Sequence, residues 1–173
     1  MKSIGDALLL ALALLAGGWD AFTRRIPNWI TLPAAAAGLA WQGYRGGWWG
    51  IAAAFGGWLL GLAVLLPFFA LGGMGAGDVK LMAAAGALAG PQGLVVIFIY
   101  TGLLGGLAAV ALAVSRGRLG VTLRNTARLV GLLGRGRVGE ASKLETAAGR
   151  LPYGAVIAAG CVLFLWIGPR SLL

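Results

Sequence analysis

Gly75-Ala76-Gly77-Asp78-Val79-Lys80-Leu81 is a glycine-rich turn bearing a carboxylate, set between two hydrophobic stretches of the chain. A charged carboxylate loses hydration at or inside a bilayer, so a chain that keeps one there points to a use for it. Upstream, residues 48–71 carry no charge. Downstream, a short apolar run over 79–89 is followed by Gly90-Pro91-Gln92-Gly93 and then a longer run over 94–114. The run 79–89 falls well short of the ~20 residues of a spanning helix. Either the glycine turn lengthens it, or it is a helix that protein rather than lipid surrounds.

Three further apolar runs, over 4–19, 29–44 and 151–167, complete the pattern. The chain has 173 residues, of which 60% are hydrophobic and 11% charged, and its mean hydropathy is +0.89. That is more apolar surface than a soluble domain of this size can bury. The expected fold is all-α: a polytopic membrane protein of about six transmembrane helices, forming a single domain over 1–173. A basic cytoplasmic loop, 115–150, precedes the last helix. The first run follows Lys2 and leads directly into Asp20, so it is read as an uncleaved span rather than a secretory leader. Ser3 and Asp6 have the spacing of a capping pair at its start.

Charge placement tests this count. The net charge is +9, but the basic residues cluster between apolar runs, which suits positive-inside topology and anionic lipid better than nucleic acid. With Arg24 and Arg25 cytoplasmic, alternation puts Lys80 and the eight basic residues of 115–150 on the same side, eleven of the fourteen in all. Within that loop Leu123, Ala127, Val130 and Leu133 recur at helical spacing, while Arg124 and Arg128 share another face, as in an interfacial helix. Trp19, Trp29, Trp41, Trp48 and Trp49 fall at run ends, where aromatic belts form.

The chain has no histidine, and Cys161 is its one cysteine. Zinc chemistry, an internal disulfide and nucleophilic catalysis with a histidine base are therefore excluded, and neither metal nor cofactor is expected. The aspartates are Asp6, Asp20 and Asp78. Two crossings separate Asp20 from Asp78, so both return to the cytoplasmic edge, where they can meet. Asp6 lies fourteen residues before Asp20, ~21 Å along one helix, and is excluded from that pair.

Two carboxylates in a low-dielectric site share a proton. One then takes a proton from water while the other polarises or protonates a carbonyl. Such a pair suits peptide hydrolysis, and it equally suits a proton or cation relay in a transporter or channel subunit. Asp20 stands at the negative end of its helix and Asp78 at the positive end of the next, so Asp20 is expected to hold the shared proton and Asp78 to act as base. Gly75 and Gly77 either allow an extended substrate to approach the backbone or simply form a tight turn. Asn28 reads as a helix cap, Lys80 as a snorkelling anchor, and Glu140 and Glu145 as solvated loop residues.

Three blocks together carry a resemblance: Asp20 with Ile26-Pro27-Asn28, then Gly75-Ala76-Gly77-Asp78-Val79-Lys80-Leu81, then Leu151-Pro152-Tyr153-Gly154. In this order they resemble the type IV prepilin peptidases, which are GxGD intramembrane aspartic proteases; the compact form looks like the peptidases that accompany tight-adherence (Flp) pili, and archaeal preflagellin peptidases are also short, a choice the sequence leaves open. The resemblance implies that Asp20 and Asp78 are the catalytic pair, supported by Gly75 and Gly77. It implies a multi-pass protein of the inner (cytoplasmic) membrane whose site faces the cytoplasm. Its substrates would be prepilins or pseudopilins, cut after a short basic leader. The cytoplasmic insertion with paired Cys-x-x-Cys motifs found in larger members, associated with zinc and N-methylation, has no counterpart here, so methyltransferase activity is not expected.

Overall fold

The computed structural model describes residues 3–70, 72–115 and 153–168, with a few isolated positions between 117 and 131. The described residues form four helices: α1 (Ile4–Thr23), α2 (Asn28–Ala70), α3 (Ala76–Ser115) and α4 (Tyr153–Ile167). Three of them, α1, α2 and α3, are long and apolar enough to cross a membrane. This is an all-helical membrane protein.

α1 begins as expected. Ser3 is its N-cap, accepting the Asp6 amide at 3.1 Å and donating its hydroxyl to Asp6 Oδ1 at 2.8 Å. It ends at Arg24, which adopts a left-handed conformation (φ 52°) and returns its amide to the Asp20 carbonyl at 2.8 Å. Gly5, Leu9, Leu12, Ala13, Ala16, Gly17 and Asp20 are its buried positions. That is a helical stripe at intervals of three and four residues, with the aspartate on the same face as the leucines.

α2 and α3 are too long to be single spans. A straight helix of 43 residues would extend ~64 Å against a hydrocarbon core of ~30 Å. Both are broken by one glycine at positive φ: Gly47 (φ 55°) in α2 and Gly90 (φ 71°) in α3, the latter followed by Pro91. At both breaks the chain reverses. A methyl group added at Gly50 would collide with the Gln42 carbonyl, and one at Gly43 would lie 2.9 Å from Ile51 Cγ1. Residues eight apart on a continuous helix are separated by ~12 Å, so α2 doubles back at Gly47. The expected turns at 45–47 and 90–93 are therefore reversals so tight that helix resumes directly on either side.

Neighbour relations give the direction of each leg. The first leg of α2 runs alongside the first leg of α3 in the same sense, Asn28 bonding Lys80 and Gln42 bonding Leu88. The second leg of α2 runs the opposite way, with Gly57 against Gly86 and Gly61 against Ala83. The second leg of α3 is antiparallel to α4, placing Gly93 by Phe164 and Gly105 by Val156. α1 is antiparallel to α4 as well, with Gly17 on Ala158. Backbones approach this closely because glycine removes the intervening side chain, which is how helices gain contact area where lipid already satisfies apolar surface.

The short run 79–89 is the core of the molecule. Val79 and every residue from Leu81 to Gly90 are buried, so protein surrounds this leg and it has no need of bilayer length. Its far end is closed by Gln42, whose side-chain amide donates to the Leu88 carbonyl at 3.0 Å. The break at Gly90 interrupts the helical hydrogen bonding that such a carbonyl would otherwise enter.

Exposed aromatic residues mark both ends. Trp48 and Trp49 directly follow the reversal at Gly47, and Trp41 before it carries Tyr44 stacked at 6.2 Å and the Arg45 guanidinium 5.8 Å from its ring centre. Trp19 and Trp29 meet edge to face at 5.3 Å at the end that holds Asp20. Of the loop 115–150, Arg124 and Arg128 are helical and exposed. Leu123, Ala127, Val130, Leu133, Glu140 and Glu145 lie outside the described residues.

Candidate functional site

Asp20 and Asp78 come to the same end of the bundle. Asp20 occupies the last full turn of α1 and Asp78 the first turn of α3. They are 4% and 9% exposed, so both carboxylates have left bulk water, and Ile26 links them, lying against Gly77 beside Asp78 and sharing the face of Gly154 with Asp20. Asp6 is at the opposite end, beside Leu10, Val162, Leu165 and Trp166.

Each carboxylate is held by one backbone amide at the start of a helix. Asp78 Oδ2 accepts from the Gly75 amide at 2.9 Å, and the Asp78 amide donates to the Gly75 carbonyl at 3.1 Å, closing the turn that launches α3. Asp20 Oδ2 accepts from the Ala155 amide at 3.2 Å, within the first turn of α4. The helix-end asymmetry expected from sequence is thereby levelled. Asp20 does stand at the negative end of α1, but it also faces the positive end of α4, which supplies a donor just as the start of α3 does for Asp78.

The glycines divide the work. Positive φ in the turn falls on Gly72 (φ 84°), while neither Gly75 nor Gly77 adopts it, so a left-handed backbone is not what these two provide. Gly75 gives its amide to Asp78 and is exposed. Gly77 has its bare face against Ile26, where an added methyl group would lie 3.0 Å from Ile26 Cβ and 3.2 Å from its nitrogen. Gly154 is the tightest of the set: a methyl group there would be 2.7 Å from both Asp20 Cγ and Ile26 Cδ1. Lys80 Nζ donates to Asn28 Oδ1 at 2.8 Å. Both residues are exposed, so the Lys80 stem reaches the surface, and its ammonium and the Asn28 side chain tie the first block to the second.

The Type IV leader peptidase family matches residues 7–110, more than half of the chain. The chain belongs to this family. The match covers Asp20, Ile26, Gly75, Gly77 and Asp78, and stops short of α4, from which the Ala155 amide reaches Asp20. This family member is also 34% identical over 124 residues to the prepilin leader peptidase/N-methyltransferase of Neisseria gonorrhoeae, covering 67% of the present chain and 43% of that relative. The chain thus spans less than half the length of that relative. No solved structure matches it.

The structure brings both sequence-singled aspartates to one end of the bundle, and beside them it places Ile26, Gly154 and the Ala155 amide, which sequence reasoning did not single out. Ile26 and Gly154 lie inside the motif blocks, so a signal existed. Their roles depend on which helices touch, and spacing along the chain does not carry that information.

Proposed function

We propose that this chain is a membrane-embedded aspartic endopeptidase that removes the short basic leader from type IV prepilins or related pseudopilins. The observation that carries this reading is the convergence of Asp20 and Asp78, both buried at one end of the helices, with Ile26 against the glycine beside each. Family membership and the printed name of the Neisseria gonorrhoeae relative support it.

In the proposed reaction the pair shares one proton and a water sits between the carboxylates. The ionised carboxylate accepts a proton from that water as its oxygen adds to the scissile carbonyl carbon. The protonated partner hydrogen-bonds the developing oxyanion, and a proton then passes to the leaving amine nitrogen as the C–N bond breaks. Titration belongs to the pair rather than to either residue. The Gly75 and Ala155 amides each hold one carboxylate oxygen, Oδ2 of Asp78 and of Asp20, which fixes how each carboxylate is presented.

The six helical legs are read as six membrane crossings. The aspartate end carries Arg24, Arg25 and Lys80 and leads into the basic loop 115–150, so it is assigned to the cytoplasmic edge of the cell membrane. Methyl transfer is not assigned.

Co-expression with candidate prepilins, read by mass, tests the reading. Leader loss is expected with the native chain, and uncut prepilin with Asp20→Asn or Asp78→Asn. Intact prepilins throughout, with the protein folded in the membrane, would favour a proton or cation relay instead.

A further inference from the structure

The segment between α1 and α2 is short, and it is fastened at both ends. The Arg24 amide bonds the Asp20 carbonyl at 2.8 Å and Thr23 Oγ1 donates to the Arg25 carbonyl at 3.0 Å. At the other end the Ile30 amide bonds the Pro27 carbonyl at 3.2 Å and Lys80 bonds Asn28. Ile26, in the middle, is 8% exposed, although Arg24 and Arg25 just before it are exposed. Its backbone and Cβ press on Gly77, one residue before Asp78, and its Cδ1 reaches the face of Gly154 that Asp20 also occupies.

We propose that Ile26 is a positioning residue, the spacer that fixes how far apart the Asp20 and Asp78 carboxylates stand. Each end of its side chain meets a glycine next to one aspartate. The α3 start and the α4 start therefore close onto Ile26 from either side and stop at its width. A β-branched side chain suits this task, because restricted χ1 freedom makes it a stiff spacer. Removing most of it lets the α3 and α4 starts move together. A displacement of ~1 Å between reacting groups can cost about 100-fold in rate.

The kinetic part of this inference rests on the peptidase reading, so its test has an arm that does not. For that arm, full-length Asp20→Cys/Asp78→Cys protein in a Cys161→Ala background is treated in membranes with thiol-reactive cross-linkers of graded length. With Ile26 in place, cross-linking is expected for a narrow window of spacers. Ile26→Ala should widen the window toward shorter spacers, with Ile26→Val intermediate and measurable even if the alanine variant folds poorly. An unchanged spacer profile in both variants overturns the proposal.

In the kinetic arm, carried out with both aspartates present, Ile26→Ala should lower kcat about 100-fold with KM little changed, and Ile26→Leu should restore most of kcat. Loss confined to KM, or full kcat in the alanine variant, also overturns it. If the native chain cuts no prepilin while the spacer profile shifts, the peptidase reading fails and the spacer stands.

Discussion

At the residue scale, the described site has two carboxylates that each accept a backbone amide, Gly75 for Asp78 and Ala155 for Asp20, with Ile26, Gly77 and Gly154 packed beside them. Asp20→Asn and Asp78→Asn preserve shape while removing the ability to take a proton. Each should reduce leader removal by roughly 100- to 10,000-fold, the range of a lost general acid or base, measured as mature pilin formed per unit of folded enzyme. Gly154→Ala tests the packing rather than the chemistry. Its methyl group would stand 2.7 Å from Asp20 Cγ and from Ile26 Cδ1, and the start of α4 would have to retreat, withdrawing the Ala155 amide from Asp20. Overpacking of this kind costs about 1–3 kcal/mol. We expect the variant to insert and fold but to lose at least about 10-fold in activity, since ~1.4 kcal/mol at the transition state is a factor of ten. Gly18→Ala, at a position with open space around it, should leave activity intact when both are assayed side by side.

At the scale of elements, the two reversals decide the architecture, and Gln42 connects them. Its carbonyl lies against Gly50 across the reversal in α2, and its side chain caps the Leu88 carbonyl at the break in α3. Gln42→Leu keeps the bulk and removes the donor, leaving a buried carbonyl unpaired. A cost of about 1–3 kcal/mol follows, visible as earlier unfolding in a denaturant titration of the detergent-solubilised protein. Gly57→Ala should be more damaging, because its methyl group collides directly with the Gly86 carbonyl of the central leg. Backbone on both sides leaves no flexible side chain to yield, so thermal unfolding in detergent should shift further than for Gln42→Leu.

At the scale of the whole molecule, the direction of the legs places the Arg24 turn and the Gly72 turn at one end and the Gly47 reversal at the other. Single cysteines introduced in a Cys161→Ala background should show this. Thr23→Cys and Gly73→Cys should react with a membrane-impermeant thiol reagent only after the cytoplasmic face is opened, and Arg45→Cys should react from outside in intact spheroplasts. Labelling of all three from one side would overturn the six-crossing reading and with it the shared edge of the two aspartates.

Composition and spacing were enough to read the class of molecule, its apolar runs, the cap at Ser3 and the aspartates that can share a site. Each of these follows from composition, from helical spacing or from the parity of crossings, all of which are properties of the chain taken in order. The sequence also left open whether 79–89 was a stretched span or a helix shielded by protein. Packing settled it, by setting both legs of α2 and the second leg of α3 against this leg. The same packing turned the expected loops at 45–47 and 90–93 into single-glycine reversals and gave Asp20 a second helix terminus at Ala155. It also brought Ile26 between Gly77 and Gly154. These outcomes depend on how closely one backbone can approach another, which is set by pairs of residues far apart in the chain.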